Sequence, residues 1–258
     1  MHAPGLKKKL AEGATVFAGW IQAEHATNAA ALARAGLDAV VLDLQHGALD
    51  IAEMRRGAAA IITEGCAPIV RTPYSDTGMI GRALDTGAEG IIAPMINSAH
   101  DASAFAKAAK FPPDGQRSWG PDAIRRLWGM DNETVLQTAN DWVVTWAMIE
   151  TQTAMDHMRA IVTTDGIDGI FVGPNDLSIA LSGGKSVNPG DHVTLQACET
   201  IARRAAAHNV YAGIFANTPE LASTYRGMGF QFIALSTENA LLSAGVRAVL
   251  EQVRGEPR

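Results

Sequence analysis

The sequence predicts an α/β fold, a (β/α)8 barrel, on three observations. Eight short apolar runs recur along 258 residues, separated by longer, often alanine-rich stretches of helical periodicity. The runs are nearly continuous in hydrophobicity and rich in β-branched residues, as parallel strands buried on both faces are. Eight β-then-α units in about 250 residues match the usual length of such a barrel.

The first run, TVFAGW (15–20), follows the polar start MHAPGLKKKLAEG, whose lysines read as the solvated face of a first helix. AVVLD (39–43) follows the helical pattern NAAALARAG, which Gly36 closes. APIVRT (67–72) and GIIAPM (90–95) are the third and fourth runs, and VVTWAMIE (143–150) and GIFVGP (169–174) the fifth and sixth. The helical stretch IARRAAAHN then leads to VYAGIFAN (210–217), and FQFIALST (230–237) completes the set. Residues 111–142 break the rhythm: FPPDGQRSWGPDAIRRLWGMDNETVLQTANDW mixes Trp, Gly, Pro and Arg without a strand pattern. A long loop is expected there, either a lid or interface element or a plain surface excursion. An open doubly wound sheet is the other α/β arrangement, but no G-x-G-x-x-G follows the first run.

With 47% hydrophobic and 19% charged residues, the composition suits one globular domain over residues 1–258. A net charge of −6 offers nothing to attract nucleic acid or an anionic membrane. No apolar run approaches the roughly 18 residues a spanning helix needs, and no apolar core follows the N-terminal lysines as in a secretory signal. Cys66 and Cys198 lack the spacing of a disulfide framework or zinc knuckle, so both are expected to be small buried hydrophobes in a reducing cytoplasm.

Active sites in this fold lie at the carboxyl ends of the strands. Those ends carry Trp20, Asp43 with His46, Arg71, Glu150, Asp176 and Asn217. Glu150 and Asp176, on neighbouring strands, make an oxygen-rich pair suited to Mg²⁺ or Mn²⁺, although each can instead cap the helix after its strand. A lone histidine is usually a core or cap residue, but Asp43 three positions before His46 can hold one ring nitrogen and raise the basicity of the other. Arg71 can form a surface salt bridge, or hold a carboxylate or developing enolate oxygen in the barrel mouth. None of the six lysines (Lys7, Lys8, Lys9, Lys107, Lys110 and Lys185) ends a run, which leaves a Schiff base without a nucleophile and a metal route open. SGGKS (182–186) lacks the earlier glycine and preceding strand of a phosphate loop.

In this order and spacing, AGW, LDLQHG, IVRTPYSD, GAEGIIAPMINSA, FPPDGQRSWG, MIET and GIFVGPNDLS resemble the HpcH/HpaI family of metal-dependent (class II) pyruvate aldolases, relatives of the citrate lyase β-chain. The resemblance runs from about Val16 to Leu250. It implies a TIM barrel of the phosphoenolpyruvate/pyruvate superfamily type. The implied reaction is reversible aldol addition and cleavage of 4-hydroxy-2-oxo acids, with pyruvate or hydroxypyruvate as nucleophile and an aldehyde as acceptor. It further implies a divalent ion (Mg²⁺, Mn²⁺ or Co²⁺) held by Glu150 and Asp176, with His46 and Asp43 as a proton-handling dyad. Arg71 is implied at the substrate oxo group and Trp20 in the pocket wall. Gly173, Pro174 and Asn175 are implied as the backbone lip beside the substrate carboxylate. Asp85 corresponds to a family position that reaches a neighbouring subunit's site. The implied assembly is a homohexamer, a trimer of dimers that exchange their last helix. One departure stands out: Gln45 occupies a position that is Glu in many members. The alternatives are a carbon–carbon lyase acting on citryl or malyl thioesters and a non-catalytic keto-acid-binding barrel.

Overall fold

A computed structural model of the chain describes residues 4–23 and 26–255, so the polar start lies outside it in its first three positions. Eight parallel strands close into a barrel in chain order. They are β1 (Val16–Ile21), β2 (Ala39–Asp43), β3 (Ala67–Arg71), β4 (Gly90–Ala93), β5 (Val144–Ile149), β6 (Gly169–Val172), β7 (Tyr211–Ala216) and β8 (Phe232–Thr237). All eight expected runs become strands, and β8 pairs with β1 to complete the ring.

Successive side chains along a strand point to opposite faces, so each strand feeds two cores. Val41, Ile69, Ile92, Trp146, Phe171 and Phe232 fill the barrel interior. Val40, Leu42, Val70, Ile91 and Ile170 face outward into the shell of helices. Trp146 is accommodated by missing side chains: a Cβ at Gly169 would stand 2.4 Å from its ring and one at Gly213 3.2 Å away. The amino end is plugged by the helix Leu6–Ala11, whose Leu6 and Leu10 join the inner core. The backbone amides of Gly5 and Leu6 each donate to Glu89 at 2.8 Å.

One departure from expectation matters for function. Residues 111–142 are mostly helical, with helices Asp122–Trp128 and Asn132–Trp142. Ile124 and Trp128, and Val135, Ala139 and Trp142, are buried at helical spacing, and the two indoles meet edge to face at 5.0 Å. Glycine and proline at its start masked that period. Lys110 lies buried just before the segment, donating to the carbonyls of Asn140 and Val143. Arg117 pairs with Asp85 at 2.9 Å. These contacts place the segment against the barrel wall towards its amino end, away from the mouth of its own chain. The C-terminal helix, Glu238–Arg254, buries only Glu238 and leaves Leu242, Val246, Val249 and Val253 exposed. No membrane-spanning helix occurs among the described residues.

Candidate active site

The carboxyl ends of the strands enclose a cavity of about 360 Å³. Trp20, His46, Arg71, Gly173, Pro174, Asn175, Asp176 and Asn217, all read from strand ends or the implied lip, line it. Asp43 and Glu150 are buried directly at that end of the barrel. Gln22, Met148, Phe171, Phe215, Ser236 and Thr237 complete the wall. These six had escaped the sequence reading, because amides, hydroxyls and apolar rings at strand ends look like ordinary barrel residues.

Asp43 ends β2 with no exposed surface and six donors around its carboxylate. Arg71, opposite it at the end of β3, donates Nε to Oδ1 at 2.9 Å and Nη2 to Oδ2 at 2.5 Å. Trp20 Nε1 and Gln22 Nε2 each donate to Oδ2 at 3.1 Å. The backbone amides of Gln45 and His46 donate to Oδ1 at 3.0 and 3.2 Å. Burial opposes ionisation, but the Arg71 bonds and charge, aided by Gln22 and the His46 amide, hold this carboxyl below its usual range.

This geometry corrects one expectation. Asp43 reaches His46 through the backbone and forms no hydrogen bond with the imidazole. An aspartate readily accepts from amides two and three residues onward, and that local turn takes the oxygen that the spacing suggested for the ring. Gly47 is required in the same turn, since a Cβ there would lie 2.3 Å from the Asp43 carbonyl oxygen. The His46 side chain is thereby presented, exposed, at the cavity. Gln45 Oε1 is buried with no partner among the described residues.

Glu150 follows β5 and is 4% exposed. Its Oε1 accepts the Met95 amide at 2.7 Å, from a residue with φ of 57°. A Cβ added at Gly173 would stand 2.8 Å from Glu150 Oε2 and 3.5 Å from Asp176 Oδ2, so the two acids converge on one glycine. The capping alternative fails for both. Thr151 caps the helix after Glu150, and the helix Pro174–Leu181 has Gly173 at its cap with no side-chain bond. Burial, with the neighbouring Asp176 charge adding to it, raises Glu150 to about 7 against the Met95 bond and the Arg71 charge. Among the described residues neither acid has an ion-pair partner, and no third histidine, cysteine or carboxylate joins them. Glu150 is buried while Asp176 reaches it from the exposed side of the mouth, and a buried carboxylate facing a second acid without a cation is costly in itself. Oxygen ligands with open positions suit a hard divalent ion, so the pair fits the group that the resemblance implies.

Trp20 forms the floor: its ring lies 5.0 Å from the Arg71 guanidinium carbon and 5.3 Å from Phe215, edge on. Asn217 Nδ2 donates to Asn175 Oδ1 at 3.3 Å across the rim. Asp85 is not brought to the mouth of its own chain, since it ends the helix Thr77–Asp85 just before β4. Lys110, the one buried lysine, is held by Asp168 at the amino end, so no lysine stands ready for a Schiff base. The thiols of Cys66 and Cys198 are buried as expected, and burial pushes both up to about 12.

The family model described as HpcH/HpaI aldolase/citrate lyase matches residues 17–244. A hydroxypyruvate/pyruvate aldolase of Rhizorhabdus wittichii is 37% identical over 94% of this chain and 96% of its own. A 2-dehydro-3,6-dideoxy-6-sulfogluconate aldolase of Pseudomonas putida is 32% identical over 92% and 91%. The crystal structure of an HpcH/HpaI aldolase/citrate lyase family protein from Burkholderia cenocepacia superposes with a TM-score of 0.88. It has 29% identity and covers 98% of this chain and 100% of that one.

Proposed function

The chain belongs to the HpcH/HpaI aldolase/citrate lyase family, and on that premise we propose that it is a divalent-metal-dependent class II aldolase. It cleaves and forms 4-hydroxy-2-oxo acids, with the enolate of pyruvate or hydroxypyruvate as nucleophile and an aldehyde as acceptor. The observation that carries this reading is the convergence of Glu150 and Asp176 beside Gly173, with no protein cation between them.

Glu150 and Asp176 would hold the ion. When bound, it supplies Lewis acidity at the 2-oxo group and so lowers the barrier to losing a C3 proton. The chain's own groups carry the remaining work. His46, exposed at the cavity, takes the C3 proton directly or through water. Arg71 spends Nε and Nη2 on Asp43 and keeps Nη1 for the oxygen on which charge develops. Asp43 serves by fixing Arg71 and the loop that bears His46. The backbone from Gly173 to Asn175 opens a helix at the mouth, where amides favour a substrate carboxylate. In cleavage His46 accepts the proton of the 4-hydroxyl.

The reading extends to a cytoplasmic homohexamer in which the last helix is exchanged between subunits and Asp85 approaches a neighbour's site. Its support is the apolar stripe on Glu238–Arg254, beside a groove of about 640 Å³ shared with Leu32. The deciding experiment follows the C3 protons of pyruvate in D₂O by NMR. Exchange that needs Mg²⁺ and stops with chelator is expected; full exchange in excess chelator would remove the metal from the mechanism.

A further inference from the structure

The C-terminal helix begins inside the wall of the active-site cavity. Ser236 and Thr237 line that cavity, and the next residue, Glu238, lines the apolar groove along the helix. Glu238 is 6% exposed. Among the described residues its bonds come from backbone amides alone. Gln22 N–H donates to both carboxylate oxygens at 3.1 Å, and Ala23 N–H donates to Oε1 at 2.5 Å. The helix itself is capped by Thr237, so Glu238 is not spent on its own helix. A buried carboxylate facing only amides holds them strongly, because bonds to an ionised acceptor are about twice as strong as neutral ones.

Gln22, gripped in this way, touches the catalytic apparatus on two further sides. Its Nε2 donates to Asp43 Oδ2 at 3.1 Å, on the carboxylate that holds Arg71. Its carbonyl accepts the Ala48 amide at 2.7 Å, two residues past His46. Gly47 packs so closely that a Cβ there would stand 3.1 Å from Gln22 Cα. One residue therefore joins the root of the last helix to both the Arg71 anchor and the His46 loop.

We propose that Glu238 is a positioning residue: it locks Gln22 in register, and so couples the seating of the C-terminal helix to the placement of Arg71 and His46. Ser236, with φ of 54°, marks the bend at which β8 turns into this helix. A helix whose outer face is apolar and unburied in one chain is thus tied by its first residue to the catalytic groups. The inference rests on the aldolase reading for its readout.

The test measures C3 exchange of pyruvate with Mg²⁺, alongside thermal unfolding and oligomeric size, for Glu238→Gln, Glu238→Ala, Gln22→Ala and the Gln22→Ala/Glu238→Ala pair. Glu238→Ala should lower the exchange rate at saturating pyruvate by about 10- to 100-fold, as misplacement of reacting groups does. The loss should fall on kcat more than on KM, and Glu238→Gln, which keeps an acceptor oxygen, should lose less. Gln22→Ala keeps the backbone groups that Glu238 and Ala48 hold and cuts only the branch through Nε2 to Asp43, so the double variant should lose less than the product of the two single losses. A purely structural Glu238 would lower the unfolding temperature and leave the rate per folded molecule unchanged, which overturns the proposal. So would losses that multiply in the double variant. If Glu238→Ala does not fold, Glu238→Gln and its pair with Gln22→Ala decide by the same criteria. A wild-type chain without exchange sinks the aldolase reading; wild-type exchange beside undiminished Glu238 variants sinks the coupling alone.

Discussion

At the amino end of the barrel Asp168 accepts from Lys7 at 2.7 Å, Lys110 at 2.9 Å and the Thr145 amide and hydroxyl at 3.0 Å. At the carboxyl end Glu150 accepts one backbone amide and turns its other oxygen towards a second carboxylate. Both acids are deeply set, yet their proton affinities move in opposite directions. Burial opposes ionisation of Asp168, and the two lysines overcome it and hold the carboxyl low. At Glu150 burial prevails and raises it to about 7. An acid whose charge is neutralised within the chain belongs to the architecture. One left uncompensated in a cleft marks a candidate ligand site.

The strongest way to break this contrast is to neutralise each acid in turn. Glu150→Gln should lower aldol cleavage by at least about 10³-fold, since it removes half of the pair proposed to hold an electrophilic ion. Folding should survive, because the substitution relieves an uncompensated buried charge. Steady-state assays with urea unfolding of the metal-free protein check both halves. Asp168→Ala should do the reverse, costing about 3–5 kcal/mol of stability by stranding Lys110, with activity per folded molecule unchanged.

Arg71 stands between these two types. It is both the ion-pair partner of Asp43 and a donor to the cavity. Arg71→Ala should lose about 10²- to 10³-fold in rate, the usual effect of removing an oxyanion donor. It should also lose stability, because Asp43 is left buried and unpaired. Arg71→Lys separates the two effects: one charge remains for Asp43, but the planar fork does not. Rates near wild type in Arg71→Lys would assign this arginine to the architecture.

How much of this was legible in the sequence follows from the same contrast. Strands buried on both faces write themselves as continuous apolar runs, so β1 to β8 and the acids that end them stand out. Asp43, Arg71, Glu150 and Asp176 interrupt apolar context, and their types name the chemistry. What they bond to was not legible. The spacing of Asp43 and His46 suggested a carboxylate–imidazole contact, but the turn's own amides occupy that oxygen. The Met95 amide on Glu150, and Gln22 with Glu238, are set by barrel closure over separations of 55 and 216 residues. Local periodicity carries no information over such distances. Residues 111–142 failed for a different reason: their buried positions do follow a helical period, but the Gly and Pro among them read as loop.

The smallest expected effect is a pH dependence that distinguishes the ends without any assay of turnover. With its folded-state carboxyl raised from 4.5 to about 7, Glu150 holds a proton in the fold that the unfolded chain releases earlier. Stability from this group is fully present below about pH 4.5 and is lost as pH rises to about 7, an effect of up to about 3 kcal/mol in the metal-free protein. Asp168 contributes in the opposite sense, because its lowered carboxyl adds stability that disappears only as the solution becomes strongly acidic. Urea unfolding of the metal-free chain at pH 5 and pH 8 should therefore show a decline that Glu150→Gln removes. Saturating Mg²⁺ should offset the decline at pH 8, where the ligand is ionised and the ion binds the folded state alone. An equal decline in Glu150→Gln would mean that the raised group lies elsewhere, and the distinction between paired and waiting acids would lose its thermodynamic basis.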